Sequence, residues 1–416
     1  MKSLRPFVFV LSLFGILFCG YHIYSLEQER RLVKEDLVEL SKIKYGLFSV
    51  DEWKQILSRI ISKKVEELNF SPDQKNEVRE KVSSFLEKAI SEFEASYYKE
   101  NSNSISGFFQ NIGADLFSIF DKMKKRIPEI TTAVLDFMND PGNRDKVKDY
   151  ITDKLSEYTD KTFAKIDYTE HDRILSHYGY GNRKQTISGL QTTLNDLSRG
   201  TQIYIIAIFV FIFLCGVMLL LSKEPVKIDY LLLTTICFLL LIGGLLLPMI
   251  EIDARIEEMS FTLLGEQISF TDQVLYYKSK SILEVVRLML MQGKMDVLVV
   301  GLLVLLFSVL FPVAKLLSSL AYIYNQKFKS NRVIRFMVFK TGKWSMADVM
   351  VVAIFMSYIG FSGILTEQLN QLEGLTNKID ILTTNKSSLQ IGFFLFTSFA
   401  VLSLLVSQKL QFRKSF

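Results

Sequence analysis

The chain has 416 residues, enough for two or three domains, and 49% of them are hydrophobic with 22% charged. Residues 26–200 hold 58 charged side chains and a net charge of −2, an ordinary polar composition, while the rest of the chain carries +7 and is too apolar for water. A fully soluble protein is excluded. So are a disulfide-stapled scaffold, a zinc ribbon and a thioredoxin-type redox site, because Cys19, Cys215 and Cys237 all sit in apolar runs and no C-x-x-C pair exists.

Crossing about 30 Å of hydrocarbon takes roughly 20 apolar residues. Six stretches meet that length: Pro6–Tyr24, Gln202–Leu221, Tyr230–Ile250, Met295–Leu320, Met346–Leu365 and Leu389–Leu405. The first follows Lys2 and Arg5 as a secretory signal would, but Phe18-Cys19-Gly20-Tyr21 lacks the small residues of a cleavage site, so residues 1–25 read as an uncleaved anchor. With the N-terminus inside, thirteen Lys and Arg fall on cytoplasmic segments, among them Lys327, Lys329, Arg332, Arg335, Lys340 and Lys343 of one loop. The two short outside loops, 251–294 and 366–388, carry seven basic and ten acidic residues. The positive-inside rule then puts both termini in the cytoplasm and residues 26–200 in the periplasm of a double-membrane bacterium.

Residues 26–200 read as a helical domain. Ser49-Val50-Asp51-Glu52 is a capping box, and Ser71-Pro72-Asp73-Gln74 places proline at a first helical position. Val78, Val82, Phe85, Leu86, Ile90 and Phe93 then share one stripe, and Asp140-Pro141-Gly142-Asn143 is a turn before a second stripe from Val147 to Phe163. His171 and His177 are six apart, a spacing that does not build a metal site, and acids balance the basic run Lys124-Lys125-Arg126, which argues against nucleic acid.

Residues 201–416 form the membrane module. Leu247-Pro248-Met249-Ile250-Glu251-Ile252-Asp253 closes one span with a proline and two acids at the outer interface. Residues 261–270 fit a small extracytoplasmic β-hairpin with Gly265 first in a two-residue turn, Leu263 opposite Ile268 and Phe261 opposite Phe270. An amphipathic helix over 275–292 follows, with Leu283, Val286 and Leu290 on one side. The fold class is thus an all-α membrane protein of six transmembrane helices, a helical periplasmic domain and one hairpin.

The fourth span ends Leu310-Phe311-Pro312-Val313-Ala314-Lys315, and after a basic loop the fifth opens Trp344-Ser345-Met346-Ala347-Asp348-Val349. Together with L-P-x-I and the hairpin, this order of W-S-M-x-D-V and the proline–lysine span end resembles the paraquat-inducible protein A (PqiA) family of bacterial inner-membrane proteins, over residues 201–410. The resemblance implies a four-helix module that occurs beside periplasmic MCE-domain carriers of phospholipid. The chain departs from the family in carrying one copy of the module and no cysteine-rich segments, and the 26–200 domain does not map onto the family.

The resemblance points to Lys315, Trp344, Ser345, Met346 and Asp348, with Pro312, as the functional cluster. Lys315 and Asp348 either pair inside the bundle, because charge at membrane depth costs about 2.5–3.5 kcal/mol on insertion scales, or snorkel to the cytoplasmic headgroups. Trp344 suits an interfacial belt, and Pro312 either kinks its helix or sits in a loosened last turn. At the outer interface, Pro248, Glu251 and Asp253 form a second candidate, in which the acids receive a lipid headgroup or a partner's basic patch or are simply solvated. Nothing resembles a catalytic triad, a phosphate loop or a metal motif, so the residues point away from an enzyme and from any cofactor. Two functions follow as expectations: a lipid-trafficking component exchanging phospholipid with an MCE-type carrier, or a non-transporting, stress-related scaffold whose ectodomain docks an envelope partner.

Overall fold

The computed structural model describes residues 4–46, 167–222, 225–263, 266–324, 331–339, 347–373 and 379–412, with isolated positions between 49 and 153. The stripes and turn expected between 61 and 163 fall almost entirely outside the described residues. The Ser49 cap lies inside them, with the Glu52 N–H donating to Ser49 Oγ at 3.2 Å.

The chain is mostly helical, with one small antiparallel sheet. Helix α1 (Leu4–Leu40) leads to α2 (Thr169–Tyr178), α3 (Arg183–Leu221) and α4 (Lys227–Leu246). Strands β1 (Ile250–Leu263) and β2 (Glu266–Lys280) precede α5 (Ile282–Met291) and α6 (Met295–Leu305). After a π-helical turn at Leu306–Leu310 come α7 (Phe311–Tyr324), α8 (Arg332–Phe339), α9 (Ala347–Glu373), β3 (Ile379–Asn385), β4 (Ser388–Leu389) and α10 (Ile391–Phe412).

Among the described residues, five helical stretches are long and apolar enough to cross a membrane: Arg5–Leu40, Arg183–Leu221, Lys227–Leu246, Met295–Tyr324 and Ile391–Leu410. The sixth expected span lies within α9, where the apolar stretch is the shorter Val351–Gly363. Two of the helices far exceed a bilayer. At 1.5 Å per residue, the 37 residues of α1 and the 39 of α3 extend about 55 Å and 58 Å, so about 25 Å of each stands clear of a 30 Å hydrocarbon layer. The compositional boundaries near residues 25 and 200 therefore fall inside continuous helices and mark where α1 and α3 leave the apolar layer.

The bundle has two distinct ends. At the basic end, Arg5 Nη1 donates to Ser222 Oγ (2.5 Å), and Lys409 Nζ donates to the carbonyls of Leu220 and Ser222 (3.2 and 3.1 Å). Lys409 thus caps the carbonyl end of α3, where a cation is favoured by the helix dipole. At the other end, Arg183 donates to Leu40 O (2.9 Å) and Tyr45 O (2.7 Å), capping α1 from the start of α3. α1 and α3 therefore run antiparallel. Their projecting parts form a stalk with its own small core of Val33, Leu37, Leu40, Ile174 and Leu190.

The sheet corrects two expectations. A lone hairpin was expected; the sheet has four strands in the order β2-β1-β3, with β4 also pairing β1. Leu263 pairs with Glu266, Phe261 with Ile268 and Met259 with Phe270, a register shifted from the expected Leu263–Ile268 and Phe261–Phe270 pairs, and Gly265 lies outside the described residues. Residues 275–280 belong to β2 rather than to a helix; α5 begins after Ser281, whose hydroxyl accepts from the Glu284 N–H (3.3 Å) while Glu284 accepts from the Ser281 N–H (3.1 Å). No alternation marks the long strands, because Asp253, Ala254, Arg255 and Ile256 of β1 are all buried, charged side chains among them, which erases the apolar–polar pattern of a half-buried strand. β3 pairs with β1 across more than a hundred residues of sequence, a contact no local pattern announces.

α4 and α10 pack closely through glycine. A Cβ on Gly244 would lie 2.8 Å from the Phe396 backbone N, and a Cβ on Gly392 would lie 2.4 Å from Leu247 O and 2.6 Å from Pro248 O. These neighbours are backbone atoms and cannot rotate away. Gly392→Ala is therefore expected to destabilise the protein by about 1–3 kcal/mol, the usual range for overpacking. Gly216→Ala, which meets nothing within 4 Å, is the control. Thermal unfolding of both variants in detergent checks this: a Gly392→Ala midpoint equal to that of the control contradicts the close approach.

Candidate functional site: a charged layer at the sheet end

Sheet and stalk meet through charged side chains. On α1, Glu27, Arg30 and Lys34 follow one another at spacings of three and four, which puts them on one helix face. On β1, Glu251, Asp253 and Arg255 alternate and so share one strand face. Arg30 Nε donates to Glu27 (2.7 Å) and its Nη2 to Glu251 (3.0 Å) and Gln390 (3.3 Å). Lys34 Nζ donates to Asp253 Oδ2 at 2.9 Å, and Arg255 holds the same carboxylate through Nε (3.0 Å) and Nη2 (2.5 Å). Beside them Arg31 Nη1 donates to Glu284 (2.5 Å), tying the stalk to the first turn of α5.

These groups are out of water: Asp253 is 0% exposed, Arg255 4% and Glu251 5%. Burial alone disfavours the ionised form of Asp253, but the hydrogen bonds and charge of Arg255 and the charge of Lys34 outweigh it and hold the carboxyl below the usual carboxylate range. Glu284 is likewise held low by the Ser281 N–H and Arg31 against its own burial. Further along the stalk, Asp272 accepts from Gln191 Nε2 (3.2 Å) and from Arg255 Nη1 (3.4 Å). Its backbone φ of 52° is the only positive value for a non-glycine among the described residues.

Between stalk and sheet lies a groove of about 720 Å³. Arg30, Lys34 and Arg255 lie on its inner side, Glu257, Glu258, Asp272 and Lys386 along the sheet, and Leu37, Leu194 and Leu382 supply apolar surface.

Of the outer-interface candidates, Pro248 is buried where α4 gives way to β1, and its carbonyl accepts from the Gly392 N–H at 2.9 Å. Glu251 and Asp253 are buried rather than solvated, and both are engaged by basic residues of the same chain. Arg30, Lys34 and Arg255 were not singled out from sequence, although the spacing of Glu27, Arg30 and Lys34 just beyond an apolar span was the available signal.

The second candidate cluster is only partly described. Lys315 is 2% exposed and lies one turn beyond Pro312 in α7. Pro312 is buried and follows the π-helical turn. Lacking an N–H, it cannot bond to the carbonyl of Ser308, and the wider π turn accommodates its ring within an unbroken rod from Met295 to Tyr324. Pro312 therefore sits in mid-rod and not in a loosened last turn. Trp344, Ser345 and Met346 lie outside the described residues, as does the Asp348 side chain, although its backbone opens α9.

Residues 274–370 match the family described as PqiA: Paraquat-inducible protein A. The PqiA match begins at the far half of β2 and takes in α5, the rod, α8 and most of α9, hence Pro312, Lys315, Trp344, Ser345, Met346 and Asp348. It is narrower than the expected 201–410 and leaves out the stalk, Pro248, Glu251 and Asp253. No curated protein and no solved structure matches the chain.

Asp253→Asn keeps the shape but leaves Lys34 and Arg255 as buried cations without their shared counter-ion, for an expected loss of about 3–5 kcal/mol. Glu284→Gln, at a more exposed pair, is expected to lose about 1 kcal/mol or less. Thermal unfolding of the full chain in detergent ranks the two, and the reverse order would show that the Asp253 cluster does not hold the sheet. The sign with pH follows from the depressed Asp253 value. The folded state binds fewer protons than the unfolded one, so this contribution is complete above the ordinary Asp value of about 4 and is lost as pH falls through the lower folded-state value. Asp253→Asn should flatten that acid limb of the stability curve.

Proposed function

We propose that the chain is a multi-pass inner-membrane component of envelope lipid trafficking that exchanges phospholipid with a periplasmic carrier, for which an MCE-type protein is the candidate partner. The observation that carries this reading is the groove, which opens where α1 and α3 leave the apolar layer. From Tyr24 to Arg30, and from Gln202 to Ser198, is about 6–9 Å along each helix, so the near edge of the groove lies at headgroup depth while Lys34, Leu37 and Gln191 carry it to about 15–20 Å beyond the hydrocarbon. The PqiA match over 274–370 and the five long apolar helices support the same reading. In it the chain crosses the membrane six times, α9 supplies the remaining span, both termini are cytoplasmic and residues 26–200 face the periplasm. Lys315 and Asp348 form a pair near the inner end of the path.

A second reading is a non-transporting scaffold. It is favoured by the stalk, which the charged layer fixes to the sheet and whose α1 ends, at Leu40, about 25 Å beyond the hydrocarbon.

Topology reporters and lipid analysis test these readings. A periplasm-active reporter fused after residue 330 should be silent and one at 270 active; the opposite result removes the periplasmic placement. Purified in mild detergent, the protein should retain phospholipid, and Lys315→Met should reduce both retention and transfer of a fluorescent phospholipid between vesicles. If the two side chains pair, Lys315→Met and Asp348→Asn together should recover about 0.5–3 kcal/mol relative to the sum of the singles. No bound lipid and no transfer by the intact protein would favour the scaffold.

A further inference from the structure

The charges around the groove do not balance. Glu27, Glu251 and Asp253 offset Arg30, Lys34 and Arg255 one for one, and Glu257 pairs with Lys386 at 2.7 Å. Asp272 and Glu258 are then in excess, and Glu258 is exposed on the sheet side. The groove therefore carries a surplus of two carboxylates near its mouth, while its inner side is rich in N–H donors. Nε and Nη2 of Arg255 are held by Asp253, whereas its Nη1 edge makes the long 3.4 Å contact to Asp272. Such an edge suits one more oxygen acceptor.

A ligand matched to this arrangement has an oxyanion at one end and a cation at the other. A purely anionic headgroup would satisfy the guanidinium edge but bring further negative charge into a groove already carrying two unbalanced carboxylates. A simple cation would neglect the donors. Leu37, Leu194 and Leu382 add apolar surface for a glycerol or acyl segment.

We propose that the groove between the α1–α3 stalk and the sheet binds a zwitterionic aminoalkyl phosphate, the headgroup of an ethanolamine-type phospholipid. Its phosphate lies toward Lys34 and the Nη1 edge of Arg255, and its ammonium lies toward Glu258 and Asp272. This deepens the lipid-trafficking reading and rests on it for the source of the headgroup. The selection is electrostatic: the ammonium supplies the charge the two surplus carboxylates lack, which no glycerol headgroup does.

The test uses the full chain, stripped of lipid in a neutral detergent and titrated with dihexanoyl-phosphatidylethanolamine or dihexanoyl-phosphatidylglycerol, with bound molecules counted by native mass spectrometry. The ethanolamine lipid should bind about tenfold tighter, the worth of one charge-assisted hydrogen bond. Glu258→Gln, an exposed change that leaves the fold intact, should abolish that preference without weakening the glycerol lipid. Equal affinities in the parent protein, or a preference that survives Glu258→Gln, overturns the proposal. Glycerophosphoethanolamine, which has no acyl chains, separates the sources. Binding as tight as that of the lipid, with the same loss in Glu258→Gln, supports the headgroup chemistry and assigns a soluble ligand; much weaker binding assigns the lipid. Vesicle transfer is scored separately. Transfer without headgroup preference sinks this proposal and leaves the trafficking reading standing, whereas preference without transfer does the reverse.

Discussion

Everything at the sheet end depends on keeping Asp253 ionised while fully buried. One carboxylate accepts from Lys34 of the stalk and from Arg255 of its own strand, so a single group joins two elements more than two hundred residues apart in sequence. A buried ion pair is weak evidence for stability, because desolvating the charges offsets much of their attraction. Its value here is geometric. Guanidinium and carboxylate accept a narrow set of orientations, so the layer sets where β1 lies against α1, and β1 in turn carries β2 and β3. The apolar core of the bundle holds the helices together without specifying that register.

The same layer explains how two helices of nearly forty residues remain ordered beyond the membrane. In the apolar layer the backbone bonds internally and lipid covers the sides. Beyond it, α1 has to be covered by protein, and four described neighbours do so: α3 along its length, α2 through Ile174 and Tyr178, the sheet through Arg30 and Lys34, and α5 through Arg31. The Arg183 clip completes the cover at the helix end.

The membrane helices were legible because their signal is local and redundant. Some twenty apolar residues in a row have few alternatives, and five expected spans coincide with long apolar helices, two of them, Pro6–Tyr24 and Gln202–Leu221, inside much longer ones. The sheet was not legible, for a specific reason. Glu251 and Asp253 read as interface or solvent residues because charge ordinarily means water, and only the three-dimensional neighbourhood reveals Arg30, Lys34 and Arg255 beside them. The short capping signals behaved differently. The Ser281–Glu284 pair marks the start of α5 although the amphipathic pattern runs on to both sides of it, whereas Ser49 caps where its local signal places it. At Pro312 both sequence alternatives assumed an ordinary α-helix, and the π-helical turn was a third solution.

The clip formed by Arg183 has a consequence for how the protein can change over evolution. Tyr45 OH donates to Asp167 O at 3.3 Å, and the Ser49 and Tyr168 hydroxyls lie 3.2 Å apart, so the chain leaves and re-enters the stalk at one place. The two described ends that flank residues 50–166 therefore lie side by side. For such a closed loop the entropy of closure depends only weakly on length, about 0.6 kcal/mol for each doubling. The stalk accordingly acts as a socket. Segments of very different size and kind can be exchanged there with little thermodynamic consequence for the bundle below, which leaves this part of the chain free to diversify while the spans and the charged layer stay as they are.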